Sequence, residues 1–197
     1  MFNQITSNIY LGQAIECEDV PILKELGIKA VLAFDFIDPG VWKCLLRNRM
    51  IYKFIPVKDF DLPTHTDIKK AFDFLDTVLN KGMKVYVHCI GGKGRSNLML
   101  MLYFVSKGME PKVVESKIAA EREVVGFTDI QRIYFDILQQ WHIMGRRGSM
   151  PTPDDAKNLY ENSRDDMEGL DEYDFVETPY RQINPSYEDD ANQFKFD

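Results

Sequence analysis

The stretch MKVYVHCIGGKGRS, residues 83–96, decides how this chain is read. Met83 to Val87 is an apolar run of strand character, and Cys89 follows it closely. Arg95 stands six positions after the cysteine, with three glycines and a lysine in the interval. A second apolar run, Ser96 to Lys107, begins at once and closes at Gly108, as a helix would. The order predicts strand, tight turn and helix, with the helix N-terminus facing the turn. Backbone N–H groups and the helix dipole favour an anion at such a place. A thiol there is positioned to hold an oxyanion and attack it, and phosphate is the obvious oxyanion.

Apolar runs and helix-like segments alternate on either side of this unit. Ile9 to Leu11, Ala30 to Phe34 and Ile51 to Val57 read as strands. Asp19 to Leu26 is amphipathic and ends at Gly27, and Pro39 to Arg47 is a short helix opened by Asp38. From Thr66 to Leu79 the residues Ile68, Ala71, Phe72, Leu75, Val78 and Leu79 share one helical face ahead of Gly82. A further helix starts at Pro111, in the first-turn position that suits proline, and another runs from about Thr128, a natural N-cap, to Trp141. The alternation predicts a single α/β domain, residues 1–145, with a mostly parallel central sheet flanked by helices. Ligands in such sheets bind at the carboxyl ends of the strands, where the Cys89 loop lies. Beyond Gly145 the periodicity fails. Residues 146–197 read as an acidic tail carrying Tyr160, Tyr173, Tyr180 and Tyr187, disordered or packed along the domain.

Composition narrows the classes. A chain of 197 residues with 45% hydrophobic and 12% aromatic content has the material for one packed core. No stretch approaches the roughly 20 apolar residues of a membrane span, and the opening MFNQITSNIYLG shows no signal-peptide pattern. Cys17, Cys44 and Cys89 are too few and too scattered for a disulfide framework; Cys17 and Cys44 read as core or surface thiols. With only His65, His88 and His142 and no paired cysteines, no zinc site is expected. The simplest reading is a soluble protein of a reducing compartment, cytoplasmic or with access to the nucleus. The net charge of −7 is uneven: residues 148–197 hold 14 acidic and 4 basic side chains, residues 1–147 hold 17 and 20. A mildly basic body suits an anionic substrate, and an acidic tail equally suits solubility.

A free cysteine titrates near 8.5 and is mostly thiol at neutral pH. A helix N-terminus and a neighbouring cation lower that value and leave a thiolate. The loop N–H groups, the dipole of the Ser96 helix and Arg95 all act in that direction. Gly91, Gly92 and Gly94 permit a tight turn and close approach of backbone to phosphate. Arg95 suits the site better than lysine because its planar fork grips two phosphate oxygens at once. Ser96 is placed to hydrogen-bond the sulfur as it departs from phosphorus. A buried structural cysteine is the ordinary reading of a Cys after an apolar strand, but His88, the glycines, Arg95 and Ser96 together weigh against it.

HCIGGKGRS resembles the His-Cys-x-x-Gly-x-x-Arg-Ser/Thr signature loop of the cysteine-dependent protein tyrosine phosphatase superfamily. ITSNIYLG and LKELGIKAVLAF ahead of it are similar to the dual-specificity branch, and the resemblance covers about residues 5–142. It implies a tyrosine phosphatase-like fold and two-step phosphomonoester hydrolysis without metal or other cofactor. Cys89 would be the nucleophile, Arg95 the phosphate clamp, and Ile90, Gly91, Gly92, Lys93 and Gly94 the rest of the phosphate loop. His88 would hold the loop and tune the thiol. The family's general acid is an aspartate on the loop that here reads PVKDFDLPTHTDI, offering Asp59 and Asp61. The Pro-Val-x-Asp pattern falls on Asp59, Asp61 reads as a turn carboxylate beside Pro63, and Asp67 serves the helix start. Gln131 stands where some relatives place a water-positioning glutamine, with an ordinary exposed helix residue as the alternative. The chain departs from the pattern at EREVVGF, which lacks the usual Arg-Pro, and at Asn97, where small residues are common. Lys93 resembles the loop lysine of some phosphoinositide-directed relatives, but Ile90 replaces their second lysine. The resemblance thus implies a phosphorylated protein as partner and substrate, at phosphotyrosine and also phosphoserine or phosphothreonine. The alternatives are a phosphoinositide or RNA 5′-phosphatase, or a non-catalytic phosphoprotein-binding module.

Overall fold

The computed structural model describes residues 2–122 and 127–165. Four stretches of the chain form a parallel sheet: β2 (Ile9–Gly12), β3 (Ile28–Ala33), β4 (Ile51–Phe54) and β5 (Lys84–His88). A fifth strand, β1 (Phe2–Gln4), pairs antiparallel with β2, and the spatial order is β1-β2-β5-β3-β4. The expected α/β domain with a mostly parallel sheet is therefore the architecture found; β1 is an addition that its short polar sequence did not announce. β5 lies between β2 and β3, so the strand carrying the cysteine is flanked on both sides.

Side-chain alternation divides the core. Leu11, Leu32 and Val87, in register across three strands, face one layer, while Tyr10, Val31 and Tyr86 face the other. The second face is covered by α1 (Val20–Glu25), through Val20 and Leu23, and by α2 (Pro39–Arg47), through Val41 and Leu45. The first face carries α3 (His65–Leu79), α4 (Arg95–Ser106), α5 (Pro111–Glu121) and α6 (Asp129–Ile143). Every residue of α4 from Arg95 to Val105 is buried. That is why its sequence, LMLMLYFV, is apolar on all sides rather than striped.

The helix starts follow local chemistry. Asp38 Oδ1 accepts from Gly40 N at 2.6 Å with Pro39 in the first turn, and Thr64 Oγ1 accepts from Asp67 N at 3.1 Å. Asp67 thus serves the start of α3, as its position suggested.

Two readings change. Residues Pro153–Asp165 form a helix, α7, laid against α6, with Ala156 fully buried and Tyr134 Oη donating to Pro151 O at 3.1 Å. The first part of the expected tail therefore packs along the domain as a helix. Tyr160 lies on it, whereas Tyr173, Tyr180, Tyr187 and residues 166–197 lie outside the described residues. The stretch Glu123–Gly126, where the Arg-Pro pattern was absent, also lies outside them. The second change concerns Cys17 and Cys44, which are joined in a disulfide, Cα atoms 5.8 Å apart and 27 residues apart in sequence, rather than standing as separate thiols. Their pairing depends on the 3₁₀ turn Cys17–Asp19 lying beside α2, a contact that neither local pattern encodes. No described helix is long and apolar enough to cross a membrane.

Candidate active site

Cys89 follows the last residue of β5 and is almost fully buried, its Sγ 3.3 Å from Ser96 Oγ in the first turn of α4. Between them the loop closes in a way that accounts for each of its carbonyls. Ile90 O accepts from Ala14 N (2.8 Å), Lys93 O from Asn97 Nδ2 (2.8 Å) and Gly94 O from Leu98 N (2.9 Å). Arg122 takes the other two, donating through Nη2 to Gly91 O (2.8 Å) and through Nε to Gly92 O. A trans peptide puts its C=O and N–H on opposite sides. Five carbonyls held outward therefore turn the N–H groups of Gly91, Gly92, Lys93, Gly94 and Arg95 inward, toward the sulfur. That is an anion-binding nest continued by the N-terminus of α4.

Of the three glycines, Gly92 is the one that geometry demands. Its φ is +63°, and a Cβ there would run into the carbonyl of Gly12 on β2. A Cβ on Gly91 or Gly94 would meet nothing within 4 Å. Asn97, a departure from the expected small residue, is fully buried and is one of the five anchors.

His88 lies beneath the loop, stacked on Tyr86 at 5.5 Å, with Nδ1 3.3 Å from Cys89 O. Burial pushes its pKa down to about 4, against the opposing pull of the Cys89 carbonyl and Asp35. The ring is neutral at pH 7, and its Nδ1–H tautomer is the one that satisfies the carbonyl.

Arg95 is buried, and its guanidinium meets three partners. Nη2 donates to Asp35 Oδ2 at 2.6 Å, Nη1 donates to Val57 O at 3.1 Å, and Nε lies 3.2 Å from Asp59 Oδ1. The Nε pairing is an ion contact rather than an aligned hydrogen bond. Asp59, with a side chain 52% exposed, lines a cavity of about 200 Å³ together with Phe60, Cys89, Gly91, Lys93, Gly94, Arg95 and Gln131. Asp61 is occupied elsewhere: its Oδ1 accepts from Leu62 N at 2.8 Å, and its Oδ2 lies 3.8 Å from Lys58 Nζ. The structure thus brings Cys89, Arg95, Asp59, Lys93 and Gln131 around one cavity, with Ser96 buried behind the sulfur, and leaves the Asp61 carboxylate in its own loop. Ile90 turns its side chain to solvent at the loop's rim.

Gln131 is buried, not an exposed helix residue. Its Oε1 accepts from Thr128 N (3.1 Å) and its Nε2 donates to Asp61 O (2.9 Å), so its amide ties the start of α6 to the Asp59 loop. Two residues that the sequence reading passed over, Asp35 and Arg122, contact the machinery directly. Asp35 carried a faint signal, a lone carboxylate just past an apolar strand; Arg122, 27 residues beyond Arg95, carried none.

A family model described as PTP-SAK, Swiss Army Knife protein, DSP-PTPase phosphatase domain, matches residues 10–132. The chain belongs to this family. This DSP-PTPase is 27% identical over 128 residues to phosphatidylglycerophosphate phosphatase PTPMT1 of Arabidopsis thaliana, a match covering 61% of the chain and 37% of that protein. It is 34% identical over 105 residues to dual specificity protein phosphatase 5 of Homo sapiens, covering 52% of the chain and 26% of that protein. The chain thus spans well under half the length of these two relatives. Among solved structures, PTPMT1 in complex with PI(5)P superposes with a TM-score of 0.62 at 18% identity, covering 75% of this chain and 99% of the other. DUSP15 superposes with a TM-score of 0.59 at 20% identity, covering 76% and 98%. At those identities the likeness is one of fold; the family model is what places the chain in the dual-specificity branch of the cysteine-dependent superfamily.

Proposed function

We propose that this chain hydrolyses phosphomonoesters on proteins, phosphotyrosine foremost and phosphoserine or phosphothreonine as well, through a phosphocysteine on Cys89. The observation that carries the reading is the ring of five outward-held carbonyls around Cys89, with Arg95 and Asp59 at the same cavity. The inward N–H groups bind the non-bridging oxygens, and Cys89 Sγ attacks phosphorus as the P–O bond breaks. Incoming phosphate takes the Arg95 Nε that Asp59 holds in the free enzyme. Asp59, released, takes up a proton from solvent water and passes it to the leaving oxygen as the P–O bond breaks. Water then attacks phosphorus and the P–S bond breaks; Asp59 takes the water's proton, and the Ser96 hydroxyl hydrogen-bonds the departing sulfur. Asp35 keeps Arg95 in place while Asp59 changes partners.

A protein substrate fits the exposed aromatic Phe60 and apolar Ile90 at the mouth, which suit an aryl phosphate. A lipid phosphomonoester is the second reading, favoured by the similarity to a phosphatidylglycerophosphate phosphatase and by the fold shared with PTPMT1 bound to PI(5)P. The test is a panel of phosphopeptides, phosphoinositide vesicles and 5′-phosphorylated RNA in chelator, with Cys89→Ser as blank. Peptide turnover that Cys89→Ser abolishes is expected. Turnover that survives the substitution would sink the mechanism, and turnover of lipid alone would replace the substrate.

A further inference from the structure

Among the described residues there is a larger cavity than the one at Cys89. It is an apolar groove of about 430 Å³ between α2 and the edge strand β4, lined by Phe36, Ile37, Pro39, Trp42, Tyr52 and Phe54. Phe36 is 71% and Trp42 43% exposed, a large exposure for aromatic side chains. Three observations say what covers it.

The groove first adjoins the active site. Asp35 holds Arg95, and the next residue, Phe36, forms the groove's near wall. Ala33 pairs with His88 on one side and Phe54 on the other. With strands about 4.8 Å apart, Phe54 lies about 10 Å across the sheet from the residue before Cys89. A strand added outside β4 lies one spacing further, about 14 Å away, which an extended chain covers in about four residues.

The groove also has an open backbone edge. β4 ends the sheet, with no strand on its outer side among the described residues. Ile55 N donates to Ala33 O at 2.9 Å, so by period-two alternation Tyr52 and Phe54 turn their N–H and C=O groups outward. The residues whose side chains line the groove are thus the ones whose main chain is open to pairing. A lipid chain has no use for such groups, whereas a peptide does.

The surroundings are basic. Residues 36–58 hold Lys43, Arg47, Arg49, Lys53 and Lys58 against the single carboxylate Asp38, and all five cations are exposed.

From these we infer that the α2–β4 groove is a substrate-docking site, taking an acidic, aromatic-bearing segment about four residues from the phosphorylated side chain as a strand added to β4. The inference rests on the protein-substrate reading above. Main-chain pairing to Tyr52 and Phe54 supplies affinity, the groove receives alternate apolar side chains, and the acidic ones meet Lys43 and Lys53.

The experiment compares kcat/KM of the full chain on phosphotyrosine peptides with that on a small aryl phosphate, which reaches only the Cys89 cavity. Peptides carry alternating acidic and aromatic residues on the N-terminal or the C-terminal side, with a neutral-flank control. In Trp42→Ala and in Lys53→Glu the ratio of acidic-peptide to aryl-phosphate kcat/KM is expected to fall about tenfold. A second readout leaves the protein untouched: N-methylating alternate flank residues lowers the ratio in one register and not in the other. Peptides hydrolysed with a ratio unmoved by both variants and both N-methyl registers would overturn the docking site and leave the protein-phosphatase reading standing. Vesicles hydrolysed and no peptide would overturn that reading itself. Vesicle hydrolysis lost in Trp42→Ala with peptide rates unmoved would make the groove a membrane contact, and a Trp42→Ala chain that elutes smaller than the wild type would make it a contact between copies; either overturns the proposal.

Discussion

The phosphate loop and the loop bearing Asp59 meet at one cavity but are built on opposite principles. In residues 90–94 every backbone carbonyl has a partner, drawn from β5's neighbouring segments, from α4 and from the end of α5. Residues 58–61 are exposed or half-buried, Phe60 is 70% exposed at a φ of +61°, and their ties run through Gln131, Thr128 and the ion contact of Asp59. The contrast follows from the chemistry. A cradle stabilises developing charge only if its dipoles are fixed before the reaction. In the proposed mechanism Asp59 must leave one partner, Arg95, and find another within each turnover.

The contrast breaks most visibly at Asp59. Asp59→Asn is expected to lower kcat by about 10² to 10³ on an aryl phosphate, measured in steady-state turnover. Asp61→Asn, which disturbs only its own loop, should cost less than about threefold. If Asp61→Asn has the larger effect, the acid is reassigned and the Asp59–Arg95 contact becomes merely structural.

Next comes the cradle's rigidity. Arg122→Met removes two of the five anchors without touching substrate, and kcat/KM should fall by about 10 to 10², since small misplacements of binding groups are costly. Inhibition by inorganic phosphate should weaken in proportion, and Arg122→Lys, able to hold one carbonyl, should recover part of the loss. An Arg122→Met enzyme that binds phosphate as tightly as the wild type would show that the loop keeps its shape unaided.

The smallest effect concerns His88 and is read in stability. Its folded-state pKa is depressed to about 4 by burial, whereas in the unfolded chain it titrates near 6.5. The unfolded chain therefore takes up a proton that the folded one refuses as pH falls from about 6.5 to 4. Stability contributed by the neutral ring is complete above that window and lost across it, to the extent of about 3 kcal/mol. Urea unfolding at pH 7 and pH 4.5 measures the loss, and His88→Gln should flatten it. An unchanged slope in the variant would assign the effect to other groups.

How far the sequence carried each of these regions depends on how local its determinants are. The strand, turn and helix around Cys89 were legible because they are contiguous: residues 83–108 hold the apolar run, the glycines and the helix stop in order. Asp59 was legible through the pattern of its own loop. Gln131 was half legible: its place in the capping box with Thr128 follows from local spacing. Its burial against the Asp59 loop does not. α7 was missed because it is polar on most sides and opens on the proline pair Pro151 and Pro153, with Ala156 as its fully buried residue. The signal was present all the same in Thr152, Pro153 and Asp155, where Asp155 Oδ2 accepts from Thr152 N at 2.6 Å. The disulfide of Cys17 and Cys44 left no mark, because two cysteines 27 residues apart say nothing of the distance between them in space.

By itself the sequence determined the strand, turn and helix that carry Cys89 and Arg95, on which the proposed roles of nucleophile and clamp rest, and the α/β class. Each is written in residues a few positions apart, where backbone geometry and hydrophobic period act directly. Only the tertiary structure decided what holds the cradle open, which carboxylates meet Arg95, and that an apolar groove, with a strand edge unpaired among the described residues, lies beside the Cys89 cavity. Those depend on β5 lying between β2 and β3, and on β4 ending the sheet. Strand order brings Ala14, Asp35, Asp59 and Arg122 to one site from four separate segments, and no local pattern records where a distant segment will come to rest.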